Sequence, residues 1–215
     1  MSRVSVTRME LLARKAQIAL ASQGRDLLEQ KRTALLKEFR RTADVALERS
    51  DALEASAANA SQSLARAEAE AGAEAVRSAA LASRGSFNLG VSTTTVMGVR
   101  VPQIEQKSAA RSMLERGYSI VGTSINVDET ASAFEGEVEA IIRLAETELR
   151  LLRLGSEVQR TSRRLNALDH LLIPRLESER NFIQMALDER ERADHFRLKL
   201  VKRSLERKRG ADMPR

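Results

Sequence analysis

Leu144, Leu151, Val158, Leu165 and Leu172 stand at strict seven-residue intervals, and Leu154 and Leu168 follow two of them by three. Apolar residues spaced three and four apart fall on one stripe of a helix, and a stripe sustained over several heptads is a seam between helices. A compact globule has little use for such a pattern. The first half of the chain carries its own version, through Leu28, Arg32, Leu35, Phe39, Thr42 and Ala46, and again through Leu53, Ala57, Ala60, Leu64, Ala67 and Ala71. Joining those two runs through Ser50 takes successive steps of four, a stutter that locally relaxes the supercoil.

The composition agrees. Ala, Leu, Glu, Arg and Lys make up 116 of 215 residues, aromatics only 3%, and there is no Trp. That mixture belongs to long helices, while an apolar fraction of 42% in regular spacing argues against disorder. No cysteine is present, which excludes disulfides and thiolate metal sites. The N-terminal residues are polar, unlike a signal peptide, and no window approaches the ~20 apolar residues that span a bilayer. Membrane association, if any, is expected to be peripheral.

Thr7 followed by Glu10 reads as a capping box, with Val6 and Leu11 at the staple positions. From there a helix is expected to run to about Ala82, roughly 110 Å at about 1.5 Å per residue. Glycines at 85, 90, 98, 117 and 122, Pro102 and the β-branched run Val91–Val96 break the pattern over residues 83–127. Val99–Val101 and Ser119–Val121 suit short strands there, and Lys107–Arg116 a short helix. A second long helix is expected from an N-cap near Asp128 to about Arg209–Gly210, its stripe continuing through Leu176, Ile183, Leu187, Leu198, Val201 and Leu205. Pro174 should kink it.

The expected fold is thus all-α: a long antiparallel two-helix coiled coil with a small β-hairpin/short-helix insert between the two long helices. Its parts are residues 1–82, the insert 83–127, and 128–215. Residues 1–41 carry ten Lys/Arg against four acids, residues 190–215 the same, and the middle is net acidic. The antiparallel topology therefore brings two basic ends together.

Signs of catalysis are sparse. His170 and His195 lie 25 residues apart, Gly85–Gly90 lacks the Gly-Lys-Ser/Thr of a phosphate loop, and no acid pair or His/acid set has catalytic spacing. No cofactor or metal is implied. Thr161, Arg163, Arg164, Asn166 and Asp169 interrupt the stripe just before Pro174. They either face solvent or, as polar seam residues can, fix register or contact another chain. The alanine-rich stretch 55–73 buries little area at about 25 cal/mol per Å², so a two-helix rod of this kind looks dependent on partners. The basic end fits nucleic acid, an anionic lipid surface or an acidic protein socket, and charge alone does not choose among them. No DNA-binding motif or aromatic interleaving accompanies it.

Particular strings carry a resemblance. Thr7-Arg8, Leu11-Leu12, Lys15, Gly24, Leu27-Leu28, Lys31-Arg32, Leu35-Leu36 and Glu38-Phe39 form one set. Val96-Met-Gly-Val-Arg-Val-Pro102, Arg116–Ser124, Asp128-Glu129 and Phe134-Glu135 form another. Thr161-Ser-Arg-Arg-Leu-Asn-Ala-Leu168 with Ile173-Pro174, then Glu189–Arg192 and Phe196–Lys199, complete the series. In this order they resemble the D subunit, or central rotor shaft, of V-type and archaeal-type rotary ATPases, over almost the whole chain. Val6 stands where that family usually has Pro, Leu165 and Asp169 where it has Val and Glu, and residues 85–95 match poorly.

The resemblance implies a non-catalytic central-stalk rotor subunit at the cytoplasmic face of the membrane. Its partners would be the F subunit of the central stalk, the A and B subunits of the catalytic head, and the subunit capping the membrane rotor ring. Neither nucleic acid nor a membrane span would be involved. Torque would pass between head and ring, coupling ATP synthesis or hydrolysis to proton or sodium transport. The head-facing tip is expected from residues 3–20 and 195–209, with Arg3, Thr7, Arg8, Leu11, Leu12, Lys15, Phe196, Lys199 and Lys202 in contact. Val99, Val101, Tyr118, Arg163, Arg164 and Asn166 are expected toward the shaft and insert, residues 85–125 with the adjacent helices being the partner-facing region there. The alternatives are a free-standing coiled-coil scaffold or tether and a basic nucleic-acid-binding protein.

Overall fold

The computed structural model describes residues 5–83, 89–105, 108–112, 115–119 and 122–211, with side chains through 207. Helix α1 spans Arg8–Ala71 and α2 Ala73–Ala82; strands β1 (Val91–Val96) and β2 (Val99–Ile104) form a hairpin; α3 spans Ile125–Ala167; a π turn covers Leu168–Leu172; and α4 runs Ile173–Ala211. The fold is the expected one, long helices with a small antiparallel hairpin between them in sequence. The chain divides into two compact units, Met1–Lys31 with Thr161–Arg215, and Arg32–Arg160.

The start of α1 follows its cap. Glu10 N–H donates to Thr7 Oγ1 at 3.2 Å. The other half of the box is not made: the Glu10 carboxylate pairs with Arg14 at 2.8 Å, one helical turn on. The stripe then holds through α1 as read, with Leu35, Thr42, Ala60 and Ala67 buried and the intervening stripe positions half-buried. It also extends back through Leu11, Arg14, Ile18, Ala21 and Arg25, all half-buried at the same alternation of three and four.

The helix does not run unbroken to Ala82. Gly72 takes φ 84° and ψ 148°, a conformation that costs a side chain strain but glycine little, and α2 restarts with Gly72 as its N-cap. The second long helix begins at Ile125, not at Asp128. Ser124 is its cap, accepting from Val127 N–H on its carbonyl at 3.0 Å and from Asn126 N–H on its hydroxyl at 3.3 Å. Asp128 is drawn elsewhere, as described below.

In the unit Met1–Lys31 with Thr161–Arg215, ion pairs between Arg25 and Asp169 (3.8 Å), Arg14 and Glu179 (3.3 Å), and Arg8 and Glu191 (2.5 Å) fix an antiparallel pairing. Thr161, Leu165, Leu176 and Ile183 are buried along its seam. Leu172 is not: it is 43% exposed, and Ile173 is turned inward in its place. The cause is the π turn, in which Ile173 N–H reaches back five residues to the Leu168 carbonyl. One surplus residue is looped into the helix, so the alternation of three and four resumes at Ile173, Leu176, Arg180, Ile183 and Leu187. The disturbance expected at Pro174 thus takes this form. In a regular helix interior Pro lacks a donor and its ring meets the carbonyl four residues back, costing about 3 kcal/mol. Set just after a widened turn it is accommodated. Leu198, Val201 and Leu205, expected to extend the stripe, are all exposed.

The unit Arg32–Arg160 is built on the hairpin. β1 and β2 pair in register from Val91↔Ile104 to Val96↔Val99 across a two-residue turn. Met97 (φ 51°) and Gly98 (φ 78°) both take positive φ, the geometry a two-residue hairpin prefers. Alternate β2 residues Val99 and Val101 point into a core with Leu35 and Leu154, edged by Phe39, Val96 and Val158. Arg150–Glu38 at 2.7 Å and Arg49–Glu146 at 3.9 Å brace α1 against α3 beside it. The short helix expected over Lys107–Arg116 falls partly outside the described residues, and 108–112, 115 and 116 lie in no helix. Of the strand expected at Ser119–Val121, Ile120 and Val121 lie outside the described residues and Ser119 is not in a strand.

Candidate partner-binding surfaces

The first surface is the end of α4. Every described side chain from Asp188 to Arg207 is exposed. Over Arg190–Arg207, seven Lys/Arg stand against three acids. Among them sit Phe196 (68% exposed), Leu198, Leu200, Val201 and Leu205. Among the described residues, the interactions beyond Glu191 are internal to α4: Arg192–Glu189 at 3.7 Å, Arg197–Asp194 at 3.4 Å, Lys202–Glu206 at 3.8 Å, and Lys199 Nζ 5.8 Å from the centre of the Phe196 ring. Large apolar groups interleaved with cations, uncovered by any other described element, suit a socket that is apolar with acidic patches.

The start of α1 reaches this surface at its near edge. Arg8 pairs with Glu191, and Arg190 donates to the Val6 carbonyl at 3.1 Å. Phe196, Lys199 and Lys202 lie roughly 8 to 17 Å further along α4 at about 1.5 Å per residue. Of the α1 residues expected at the tip, Thr7 is the helix cap, Leu11 is half-buried, and Arg8, Leu12 and Lys15 are exposed. Arg3 lies outside the described residues. Arg163, Arg164 and Asn166 are exposed on α3, whereas Thr161 is a buried seam residue.

The second surface lies on the unit Arg32–Arg160, around residues 108–112 and 115–119. Arg116, buried at 7% exposure, organises it. Its Nε and Nη2 donate to the two Glu135 oxygens at 3.1 and 2.9 Å, and its Nη1 to Asp128 Oδ1 at 2.8 Å. Tyr118 Oη donates to the same Asp128 oxygen at 2.5 Å. Hydrogen bonds to Glu135 hold the guanidinium pKa above its ordinary value. The Tyr118 hydroxyl, then Arg116, hold the Asp128 carboxyl below its ordinary value. Burial, then the bond to Asp128, pushes the Tyr118 phenol up. Beside it Glu139 accepts from Ser108 Oγ (2.8 Å) and Ala109 N–H (2.9 Å), and Arg111 donates to the Ser83 carbonyl at 2.9 Å. A groove of about 480 Å³, lined by Leu64, Val76, Val127, Phe134 and Val138, opens alongside.

Here the residue expectations divide. Tyr118 is part of the network. Val99 and Val101 are not surface groups: at 9% and 1% exposure their side chains are spent on the hairpin core. Phe134, Glu135 and Val138 on α3 form part of the surface; the expected region took in the adjacent helices without singling these residues out. Acids in the first turns of a helix are already explained by its N-terminal charge, which hides any further role. The signal available is Arg116-Gly-Tyr118, a cation and a phenol ten to twelve residues ahead of Asp128 in an acid-rich first stretch of helix.

No helix among the described residues is long and apolar enough to cross a membrane. The family model for the D subunit of ATP synthase matches residues 10–203. The A-type ATP synthase D subunit of Pyrococcus horikoshii is 43% identical over 204 residues, 95% of each chain. That of Thermococcus kodakarensis is 42% identical over 208 residues, 97% of each, and that of Methanobrevibacter smithii 40% over 205, 95% of this chain and 89% of its own. Similarity of this extent reaches across both units and every element from α1 to α4, and the chain belongs to the family of ATP synthase D subunits.

Proposed function

We propose that this chain is the central-stalk rotor subunit of an A/V-type ATP synthase, passing torque between the A/B catalytic head and the membrane ion-translocating ring. The observation that carries this reading is the end of α4. Some twenty residues of helix, basic and studded with large apolar side chains, find no covering among the described residues. A helix so constituted gains little from solvent and much from a sleeve. In this role the α4 end, with the start of α1, turns within the head. Residues 108–112 and 115–119 and the groove beside them belong to the partner-facing region, near the F subunit and the subunit that caps the ring. The chain itself is non-catalytic and peripheral, at the cytoplasmic face.

Crosslinking tests it directly, since the chain has no native cysteine to interfere. Phe196→Cys, oxidised onto a cysteine placed in an A or B subunit of the assembled complex, should stop ATP turnover, and reduction should restore it. Turnover that continues with the bond intact defeats the rotor reading. Purification of a tagged chain without head subunits would favour a scaffold or tether instead.

A further inference from the structure

Leu165 and Leu176 are both buried, eleven residues apart, and two backbone paths can join them. In the observed path Leu168 faces inward, the π turn loops out one residue, and Ile173 is the next apolar group inside. The other path is an unbroken α-helix, in which steps of four, three and four would bring Asp169, Leu172 and Leu176 inward. An α-helix advances about 100° per residue, and an apolar stripe is about as wide, so Leu176 stays within the stripe on both paths at opposite margins. Leu168 and Asp169, ahead of the inserted residue, are both half-buried already, so the paths differ in which aliphatic side chain comes next, Ile173 or Leu172. Hydrophobicity therefore does not choose between them.

Pro174 does. On the unbroken path its ring would meet the His170 carbonyl, and on the wide path that conflict is relieved. Space for the change exists. Leu172 and Leu176 line a cavity of about 420 Å³ with Leu20 and Ala21 of α1. A Cβ added to Gly24 would meet nothing within 4 Å. Leu172 meanwhile stands 43% exposed, an apolar group held out of the seam by the turn.

We infer that Leu168–Leu172 is a torsional joint: a wide turn pinned by Pro174, whose tightening swings Leu172 inward, Ile173 outward, and the rest of α4 about its own axis. The inference concerns the helix pair itself and stands whether or not the chain carries torque.

A cysteine-free chain makes the test clean. Leu172→Cys and Ile173→Cys are each prepared in the full chain, with and without Pro174→Ala, and their alkylation rates compared. Releasing the pin should lower the ratio of the rate at 172 to that at 173 by about tenfold or more. An unchanged ratio overturns the joint. A second arm covers a Pro174→Ala chain too unstable to label. Deleting Leu171 together with Pro174→Ala removes the surplus residue while keeping the present seam, and should melt within about 2 °C of Pro174→Ala or higher. A melting temperature further below that of Pro174→Ala would mean that the turn stores no surplus residue, and would end the proposal.

Discussion

A Cβ placed on Gly155 would lie 3.3 Å from Cε2 of Phe39, so glycine on α3 is what lets that ring lie against the helix beside the Leu35–Leu154 core. The contact is close but the ring is half-buried and free to move on its outer side.

That geometry separates small substitutions from large. Gly155→Ala gains about 1 kcal/mol of helix propensity and forces the ring back by a few tenths of an ångström, so it should leave stability within about 1 kcal/mol. Gly155→Val adds branches the ring cannot clear and should cost about 2 kcal/mol or more. Urea melts of the two variants check this; a Val variant as stable as wild type would contradict the packing.

Gly117 is more demanding. It sits at φ 82°, and an added Cβ would fall 2.6 Å from the Ala82 carbonyl oxygen, a backbone atom with little freedom. Gly98 has a similar φ of 78° but nothing within 4 Å. Gly98→Ala should therefore cost only the conformational strain, about 1–2 kcal/mol, and Gly117→Ala distinctly more. Thermal melts that rank them the other way would refute the close approach.

The hairpin turn invites stabilisation. Met97 is exposed and held at φ 51°, a region its side chain tolerates poorly and asparagine tolerates well. Met97→Asn should raise stability by up to about 1 kcal/mol, read as a shift in urea midpoint at constant slope.

The Arg116 cluster predicts an acid response. The Asp128 pKa is held down by Tyr118 and Arg116, so the stability it contributes is complete above the ordinary carboxylate range. That contribution fades as pH falls through the lowered value. Tyr118→Phe removes the leading cause and should move the acid-side loss of melting temperature to higher pH. Arg116→Met leaves two carboxylates facing one another. It should cost about 2–3 kcal/mol at neutral pH, less than for a fully buried pair because both acids keep some solvent. A melting temperature insensitive to pH 3–5 in wild type would rule the cluster out as an acid-sensitive element.

What can be read from residues alone is whatever spacing expresses. The stripe from Leu28 to Ala71 is reproduced position by position, and Leu144, Leu151, Val158 and Leu165 lie on the inward face as expected, because periodicity is a direct projection of helix geometry. Leu172 departs from it because a π turn adds a residue without any marker in the period; Pro174, two residues on, is its only trace. Asp128 has the chemistry of a cap, yet its carboxylate serves Arg116 and Tyr118, a long-range demand invisible in local sequence. Val99 and Val101 face the core rather than partners, an outcome that alternation along the strand already allows. The α4 surface is legible as charge, while the bareness of Phe196 and Leu205 needs coordinates to see.

The uncovered end of α4 has a cost for the newly made chain. Among the described residues its side-chain support is four short-range contacts worth a few tenths of a kcal/mol each, so it should fray and re-form continually until sheltered. Seven Lys/Arg side chains lie along that fraying stretch, each a cleavage site for trypsin-like proteases. Survival of the intact C-terminal stretch in a cell would then record how promptly each molecule found its place.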